Sequence, residues 1–245
     1  MSENNEIKES KKFKNYEDAV FEGGGWFILG HSAGQNKIMA KELRAENSRK
    51  KVLLLGGVHG NETEGVQFMV DFCREFAKDE EKSPFGFDLF LVPVLNPDGF
   101  FAHERKNASG VDLNRNMPTK DWSPEFQEDK YNPGSHAGSE PESKILVDLL
   151  NKHYFDFIIS FHSWKPMINI NGPAEIFGEK MKEKLKMKVV KDIGYPTPGS
   201  LGTYAGWERG IPTITLEFER GVELEGIYAY ARDAILDSFK ALQSE

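Results

Sequence analysis

The chain of 245 residues contains very little cysteine. Cys73 is the single cysteine, so no disulfide can form within the chain, and its apolar helical surroundings predict a small core residue. An excess of positive charge is also missing, because 31 Lys and Arg stand against 39 Asp and Glu and leave a net charge of −8. A partner bound through the phosphate backbone of a nucleic acid is therefore not expected.

Long apolar runs are absent as well. No run approaches the roughly 18 residues that a membrane span requires. Residues 1–18 are polar and of mixed charge, without the apolar stretch of a secretion signal. We therefore predict a cytoplasmic protein with no membrane partner, in which a polar segment, residues 1–20, precedes a single domain, residues 21–245.

Patterns typical of strands and helices alternate along the chain. The predicted strands are 25–30, 51–58, 88–95, 155–161 and 211–218, and the predicted helices lie near 63–77, 140–154, 174–192 and 223–242. The alternation predicts an α/β fold, in which a mixed, mostly parallel twisted sheet has helices on both faces. Ser139 with Glu142 three residues later predicts a capping box at the start of the 140–154 helix.

Two long segments fit no element. Residues 117–138 are rich in Pro, Gly and charge, and residues 193–210 are rich in Pro and Gly. Loops of this length in a compact domain are usually functional. In open α/β sheets, ligands bind beyond the carboxyl ends of the strands, where such loops emerge. We therefore expect the functional site at that edge of the sheet.

Side chains that can bind a metal follow two of the predicted strands. His59 and Glu62 stand at the corner between the 51–58 strand and the next helix, although the pair alone could be an ordinary surface turn. His162 directly follows the strand that ends at Phe161. Two histidines and one glutamate leave one tetrahedral position open, which is typical of a catalytic zinc and not of a structural one.

The last predicted strand carries two acidic residues on its polar face. Glu217 and Glu219 alternate with Leu216 and Phe218. A carboxylate inside a strand can serve as the general base for a metal-bound water, and Glu217 is our first candidate. Glu219, one pleat further on, is the alternative, and the polar face of an edge strand would explain both without catalysis.

Two further motifs lie outside the predicted helices and carry polar side chains. Asn-Pro-Asp-Gly at 96–99 is typical of a tight turn after a strand. Gly-Val-Asp-Leu-Asn-Arg-Asn at 110–116 places the amide of Asn114 beside the guanidinium of Arg115. A guanidinium fork suits bidentate binding of a carboxylate, although an ordinary surface ion pair would also explain Arg115.

Taken together, these motifs resemble the zinc metallocarboxypeptidases of the carboxypeptidase A type. The resemblance covers most of the chain and rests on motifs that stand in the family's order, at 59–62, 96–99, 110–116, 160–163 and 215–218. It implies a catalytic domain with one zinc per chain. It implies that His59, Glu62 and His162 are the zinc ligands and that Glu217 is the general base. It implies that Arg105 polarises the scissile carbonyl and that Asn114 and Arg115 hold the substrate carboxylate. It also implies that Asp112 orients the first zinc histidine and that Tyr195 closes over the substrate.

Within that family the loop motifs at 96–105, 138–142 and 194–203 are most similar to those of bacterial murein peptide amidases. This resemblance implies hydrolysis of the γ-D-glutamyl bond to meso-diaminopimelate in murein tripeptide, during peptidoglycan recycling. The alternatives are a general metallocarboxypeptidase acting on C-terminal residues, an N-acyl amino acid deacylase of the aspartoacylase kind, and a zinc-bearing protein that binds wall peptides without cutting them. No role follows from the sequence for the 117–138 loop, Trp164 or Lys165.

Overall fold

The computed structural model describes residues 23–47, 49–78 and 82–244, so the predicted polar segment 1–20 lies outside the described residues. Within them, one sheet of eight strands has the order β1-β2-β4-β3-β5-β8-β6-β7. The strands are β1 Trp26–His31, β2 Lys37–Leu43, β3 Lys51–Leu55, β4 Asp88–Val92, β5 Phe157–Trp164, β6 Met167–Asn171, β7 Lys188–Val190 and β8 Thr213–Glu219.

The helices follow the predicted alternation with the strands. They are α1 Thr63–Phe76, α2 Pro97–Ala102, α3 Pro141–Lys152, α4 Glu175–Leu185 and α5 Ile227–Ser244, with a π-helical segment at Gly202–Trp207 and short 3-10 turns at Leu113–Arg115, Asp129–Tyr131 and Leu224–Gly226. In the described part of the chain, no helix is both long and apolar enough to cross a membrane.

The sheet is mixed and mostly parallel, as predicted. Strands β4, β3, β5 and β8 run parallel to one another in its centre, and β2 and β6 pair with this group in antiparallel fashion. Alternate residues of β3, β4 and β5 enter different cores: Leu54 packs with α1, α4 and α5, whereas Leu53 packs with α3 and the long loops. Helices therefore cover both faces, which explains why β3, β4 and β5 are nearly continuous apolar runs.

Four local predictions were wrong. The 174–192 helix ends at Leu185, because Lys186 adopts a left-handed conformation with φ 57° and residues 188–190 become edge strand β7. Strands β2 and β6 were not predicted. The 96–99 motif begins helix α2, with Asn96 as its N-cap. Ser139 does not cap α3, which starts after Glu140 without a side-chain cap.

The topology places the functional side chains at one edge. The four central parallel strands all end on the same side of the sheet, and the segments that follow β3 and β4 emerge there. His162 lies inside β5, which continues to Trp164, and not after the strand as predicted. Residues from distant parts of the chain therefore meet at the carboxyl ends of β3, β5 and β8, the usual position of a ligand in an open α/β sheet.

Candidate metal centre and substrate cavity

His59, Glu62 and His162 form one compact cluster. The Nδ1 atom of His59 lies 2.9 Å from Glu62 Oε1, and the Nδ1 atom of His162 lies 2.9 Å from Glu62 Oε2. The two Nδ1 atoms are 3.2 Å apart, and all three residues are buried. Neighbouring ligands of a tetrahedral zinc with bonds of about 2.1 Å lie about 3.4 Å apart, close to these separations. The predicted ligand groups therefore converge on a space the size of one ion.

The local sequence around His59 is constrained by close packing. A Cβ atom on Gly60 would lie 1.9 Å from the carbonyl carbon of Gly99, the third residue of α2. The side chain of Asn96 accepts a hydrogen bond from Gly99 N at 2.9 Å, which fixes the start of that helix. Because the two backbones touch, the 59–62 and 96–99 motifs form one structural unit that holds the corner after β3 in place.

The outer nitrogens of both histidines have partners. His59 Nε2 lies 3.0 Å from Asp112 Oδ1, and His162 Nε2 lies 3.0 Å from the hydroxyl of Ser160. Asp112 is fully buried; burial opposes its charge, but the charges of His59 and Arg105 outweigh burial and hold its pKa well below the usual value. Such partners orient the rings, so that Nδ1 of each histidine faces the cluster. Sequence reasoning gave Ser160 no role of its own.

The charge of Glu62 is strongly compensated. Besides the histidines, Arg105 Nη1 and Arg220 Nη2 each lie 3.3 Å from Glu62 Oε1. Burial opposes ionisation, but the charge of His59 and hydrogen bonding from His162 hold the pKa of the Glu62 carboxyl well below its usual value. The carboxylate is therefore ionised at neutral pH, as a metal ligand must be.

Arg105 links the cluster to Asp112. Its Nε atom donates to Asp112 Oδ2 at 3.0 Å, and its Nη2 atom lies 2.9 Å from the same oxygen. The guanidinium is 5.5 Å from the ring centroid of Tyr131, which belongs to the predicted 117–138 loop. A positive charge is thus held beside the cluster by two carboxylates.

One cavity of about 300 Å³ joins the cluster to the remaining predicted residues. The long 117–138 and 193–210 loops supply part of its wall, as expected of functional loops, and Trp164 supplies another part. Its lining includes the residues His59, Glu62, Arg105, Asn114, Arg115, Lys130, Tyr131, Trp164, Tyr195, Glu217 and Arg220. All the predicted site residues except the buried Asp112 and His162 therefore face one space.

Arg115 and Tyr195 lie on one side of this cavity. The guanidinium of Arg115 is 5.2 Å from the Tyr131 ring centroid and 6.0 Å from that of Tyr195. Asn114 Oδ1 accepts a hydrogen bond from Leu201 N at 2.9 Å, and Asn114 O accepts one from Arg115 Nη1 at 2.7 Å. The rings of Tyr195 and Trp164 lie nearly perpendicular to each other, with centroids 5.7 Å apart. The guanidinium of Arg115 therefore lies beside two aromatic rings in the wall of the cavity.

Glu217 stands beside the metal cluster on the neighbouring strand. It pairs in register with His162 across β5 and β8. Its Oε2 atom is buried and has no hydrogen-bond partner among the described residues. Burial raises the pKa of Glu217 to about 7. The charge of Glu62 also raises this pKa, whereas the charge of His162 lowers it. Glu219 pairs with Trp164, is exposed and does not line the cavity.

Sequence reasoning missed two cavity residues. Arg220 directly follows β8 and reaches Glu62, and its position three residues after Glu217 at a strand end was a usable signal. Tyr131 lies near three cationic groups, with its ring centroid 4.8 Å from Lys130 Nζ in addition to the two arginines above. No sequence pattern marked Tyr131, because its position depends on how the 117–138 loop folds back.

The site and the fold agree with the comparisons to known proteins. The sequence profile of the zinc carboxypeptidase family, peptidase M14, matches residues 26–220. The chain therefore belongs to the zinc carboxypeptidase family and is a metallopeptidase. The family resemblance inferred from the motifs is thereby confirmed.

Two relatives of known sequence and one of known structure are similar to this chain over most of its length. Murein peptide amidase A of Escherichia coli K12 is 31% identical over 183 residues, covering 70% of this chain and 72% of that protein. The Vibrio campbellii enzyme of the same name is 30% identical over 182 residues, covering 69% of this chain and 70% of that protein. The crystal structure of the murein-tripeptide amidase from Escherichia coli O157 has a TM-score of 0.74 at 26% identity, covering 88% of this chain and 92% of that chain.

The fold extends to carboxypeptidases as well. Carboxypeptidase A of Helicoverpa armigera has a TM-score of 0.73 at 20% identity, covering 94% of this chain and 68% of that chain. At this level of identity the likeness concerns the fold alone. The predicted mixed, mostly parallel sheet with its helices is thus confirmed by both neighbours.

Proposed function

We propose that this metallopeptidase is a zinc-dependent, exo-acting amidase that cuts an amide bond next to a free carboxylate. The bond it fits best is the γ-D-glutamyl to meso-diaminopimelate bond of murein tripeptide. The observation that carries the proposal is the buried, unpartnered Oε2 of Glu217, which lies in the same cavity as the His59, Glu62 and His162 cluster and the guanidinium of Arg115.

Zinc suits the three converging groups by their chemistry. Two imidazole nitrogens and one carboxylate match the donor set of a catalytic zinc, and the cluster has only these three members among the described residues. Asp112 and Ser160 hold the outer nitrogens and thereby set which nitrogen of each ring faces inward. When bound, zinc supplies a Lewis acid that polarises a carbonyl and lowers the pKa of water toward about 7.

Glu217 then acts as the proton carrier. No described residue forms a competing hydrogen bond with its Oε2, so this oxygen can accept the proton of the attacking water. The same oxygen returns that proton to the amide nitrogen as the bond to the leaving amine breaks. The pKa of Glu217 near 7 suits both directions of transfer at neutral pH. Arg105, held by Asp112, places fixed positive charge where the carbonyl oxygen becomes negative.

The requirement for a free carboxylate is assigned to Arg115 and Asn114. Arg115 is 5% exposed and already oriented by its own contacts, so capture of a carboxylate needs little further ordering. Tyr195 packs between Trp164 and Arg115 and can close over the bound residue. A carboxylate held at this position makes the cut exo-acting.

The substrate class is supported by relatedness and by size. The two relatives at 30% and 31% identity are murein peptide amidases. A cavity of about 300 Å³ suits a few residues of a small peptide, and its wall of Asn, Thr, Ser and charged side chains suits a polar one. A general carboxypeptidase activity on C-terminal residues is the second candidate, favoured by the family itself.

Incubation of the purified, zinc-loaded protein with L-Ala-γ-D-Glu-meso-diaminopimelate and with ordinary C-terminal peptides, followed by mass spectrometry, tests the proposal. We expect release of free diaminopimelate from the tripeptide at a much higher rate than release of C-terminal residues. Faster cleavage of ordinary peptides would support the general carboxypeptidase instead. Cleavage of N-acyl amino acids alone would indicate a deacylase, and binding without cleavage of any substrate would indicate a wall-peptide-binding protein.

A further inference from the structure

Arg220 is a cavity residue that the proposed mechanism does not use. It stands in the turn that follows β8, and this turn is firmly attached to the rest of the site. The backbone N–H of Arg220 donates to Trp164 O at 3.2 Å, and the N–H of Gly221 donates to Glu64 Oε1 at 2.6 Å. Glu64 is buried, and its other oxygen accepts a hydrogen bond from Ser163 Oγ at 2.5 Å. The base of the Arg220 side chain is therefore held in place.

The guanidinium of Arg220 has unused donors. Its Nη2 atom lies 3.2 Å from Asn61 Oδ1 and 3.3 Å from Glu62 Oε1. Its Nε and Nη1 groups have no partner among the described residues, and its side chain is 44% exposed where it lines the cavity. Arg105, in contrast, is 19% exposed and uses three of its nitrogens on Asp112 and Glu62. Of these two arginines at the metal cluster, Arg220 is therefore the one with more donors left to bind a ligand in the cavity.

Arg220 and Arg115 form two separate cationic points in one cavity. Arg115 contacts Asn114 and the rings of Tyr131 and Tyr195, whereas Arg220 contacts Asn61 and Glu62. If the carboxylate of the leaving residue lies at Arg115 and the scissile carbonyl lies at the metal cluster, the acyl half of the substrate continues past the cluster. Arg220 lines the same cavity and lies beside Glu62, so it is a charged group available to that half.

Arg220 contributes to the charge balance of Glu62, but that balance does not depend on Arg220 alone. Glu62 already has two histidines, Arg105 and the N–H of Ser163 within 2.9 to 3.3 Å. The whole chain carries a net charge of −8, which repels an anionic peptide. Four cationic side chains, those of Arg105, Arg115, Lys130 and Arg220, line the cavity together with three glutamates, and clustered positive charge attracts a substrate with several carboxylates.

We propose that Arg220 binds a second substrate carboxylate, carried by the residue that supplies the scissile carbonyl. The inference rests on the proposed function and narrows its substrate class to peptides in which an acidic residue is linked through its side-chain carboxyl. Such a residue keeps its α-carboxylate free on the acyl side of the cut bond. The unused Nε–H and Nη1–H groups of Arg220 are charged donors, and either can donate a charge-assisted hydrogen bond to that group.

The test uses two substrates that differ only in that group. One is L-Ala-γ-D-Glu-meso-diaminopimelate, and the other is the same tripeptide with the α-carboxylate of glutamate converted to an amide. We expect the wild-type enzyme to favour the free acid by about 10- to 100-fold in kcat/KM, as the loss of a charged hydrogen-bond pair implies. Arg220→Gln should lower kcat/KM for the free acid far more than for the amide and thereby remove the preference. Arg220→Lys, which keeps the charge but loses the guanidinium donors, should retain part of the preference.

Arg74→Gln is the matched control, because Arg74 is 46% exposed and pairs with one aspartate on α1, outside the cavity. It should leave both rates unchanged. Equal losses on both substrates in Arg220→Gln, or no wild-type preference for the free acid, would overturn the inference.

Failure of the proposed function has a different signature. If the wild-type enzyme trims ordinary C-terminal peptides and ignores the γ-linked tripeptide, the proposed substrate is wrong. In that case the rates of cleavage are compared for two peptides that have Glu or Gln as the residue that supplies the scissile carbonyl. A preference for Glu that Arg220→Gln abolishes keeps the carboxylate role, and equal rates reject it.

Discussion

Glu217 differs from the other carboxylates at the metal cluster, because one of its oxygens is buried and has no hydrogen-bond partner in the described part of the chain. Glu217→Gln should keep zinc and lower kcat by about 100-fold or more, since it removes the proton acceptor alone. Burial raises the pKa of Glu217, so its charge opposes folding at neutral pH, and the zinc-free variant should melt at the same or a higher temperature. Steady-state kinetics, zinc analysis and thermal unfolding measure the three effects.

Glu219→Gln is the matched control for that experiment. Glu219 shares the strand but is exposed and lies outside the cavity, so its replacement should change kcat little. A variant at 219 that lost turnover while the variant at 217 kept it would move the general base by one pleat and contradict the assignment.

Arg115 offers a second prediction at the scale of one side chain. Arg115→Lys keeps the charge but replaces two parallel hydrogen bonds by one contact. We expect kcat/KM to fall about 10- to 100-fold for substrates with a free terminal carboxylate and to change little for substrates amidated there. Kinetics on both substrate forms check this. Equal wild-type rates on the two forms would exclude Arg115 as the group that recognises the carboxylate.

At the scale of elements, the corner between β3 and α1 depends on its contact with α2. A methyl group at Gly60 would meet backbone atoms of Gly99 and Phe100 at 1.9 to 2.3 Å, which no side-chain rotation can relieve. Gly60→Ala should therefore lower the free energy of unfolding by about 1 to 3 kcal/mol and weaken zinc binding, because His59 and Glu62 flank the displaced backbone. Thermal unfolding and zinc titration measure both quantities.

Gly226→Ala serves as the comparison, since nothing lies within 4 Å of the added methyl group. It should leave zinc binding unchanged. If Gly60→Ala were equally harmless, the contact between the corner and α2 would not support the metal cluster.

At the scale of the whole molecule, zinc would connect parts of the chain that are far apart in sequence. Its ligands come from the β3 to α1 corner and from β5, so binding should stabilise the folded chain as a unit. At a free zinc concentration about 100 times the Kd, the expected gain is about 2.7 kcal/mol. Removal of zinc by a chelator should lower the melting temperature, and added zinc should restore it.

His162→Ala should bind less than one zinc per chain and lose the zinc dependence of its melting temperature. His136→Ala is the control, because His136 is exposed and remote from the cluster. Full stoichiometric binding with unchanged affinity in His162→Ala would show that the ligand set is wrong.

The fold class and much of the site followed from the sequence because both depend on local patterns. Apolar runs separated by helical spacing predicted parallel strands, and parallel strands deliver their carboxyl ends to one edge. Residues that follow or end those strands, such as His59, His162 and Glu217, were therefore predictable neighbours. Glycine at 60 and 99 also belonged to the motifs, although only the packing of the two backbones explains why.

Other features were decided by tertiary structure, because they arise from contacts between segments far apart in the chain. The segment 188–190 became a strand because an edge of β6 was available to pair with it, although its apolar spacing is also that of a helix. Tyr131 lies near Arg115 only because a long loop folds back over the cavity. Arg220 reaches Glu62 only because Glu64 and Trp164 hold its turn. Local propensity contains no information about such contacts, so they emerge only when the whole chain packs.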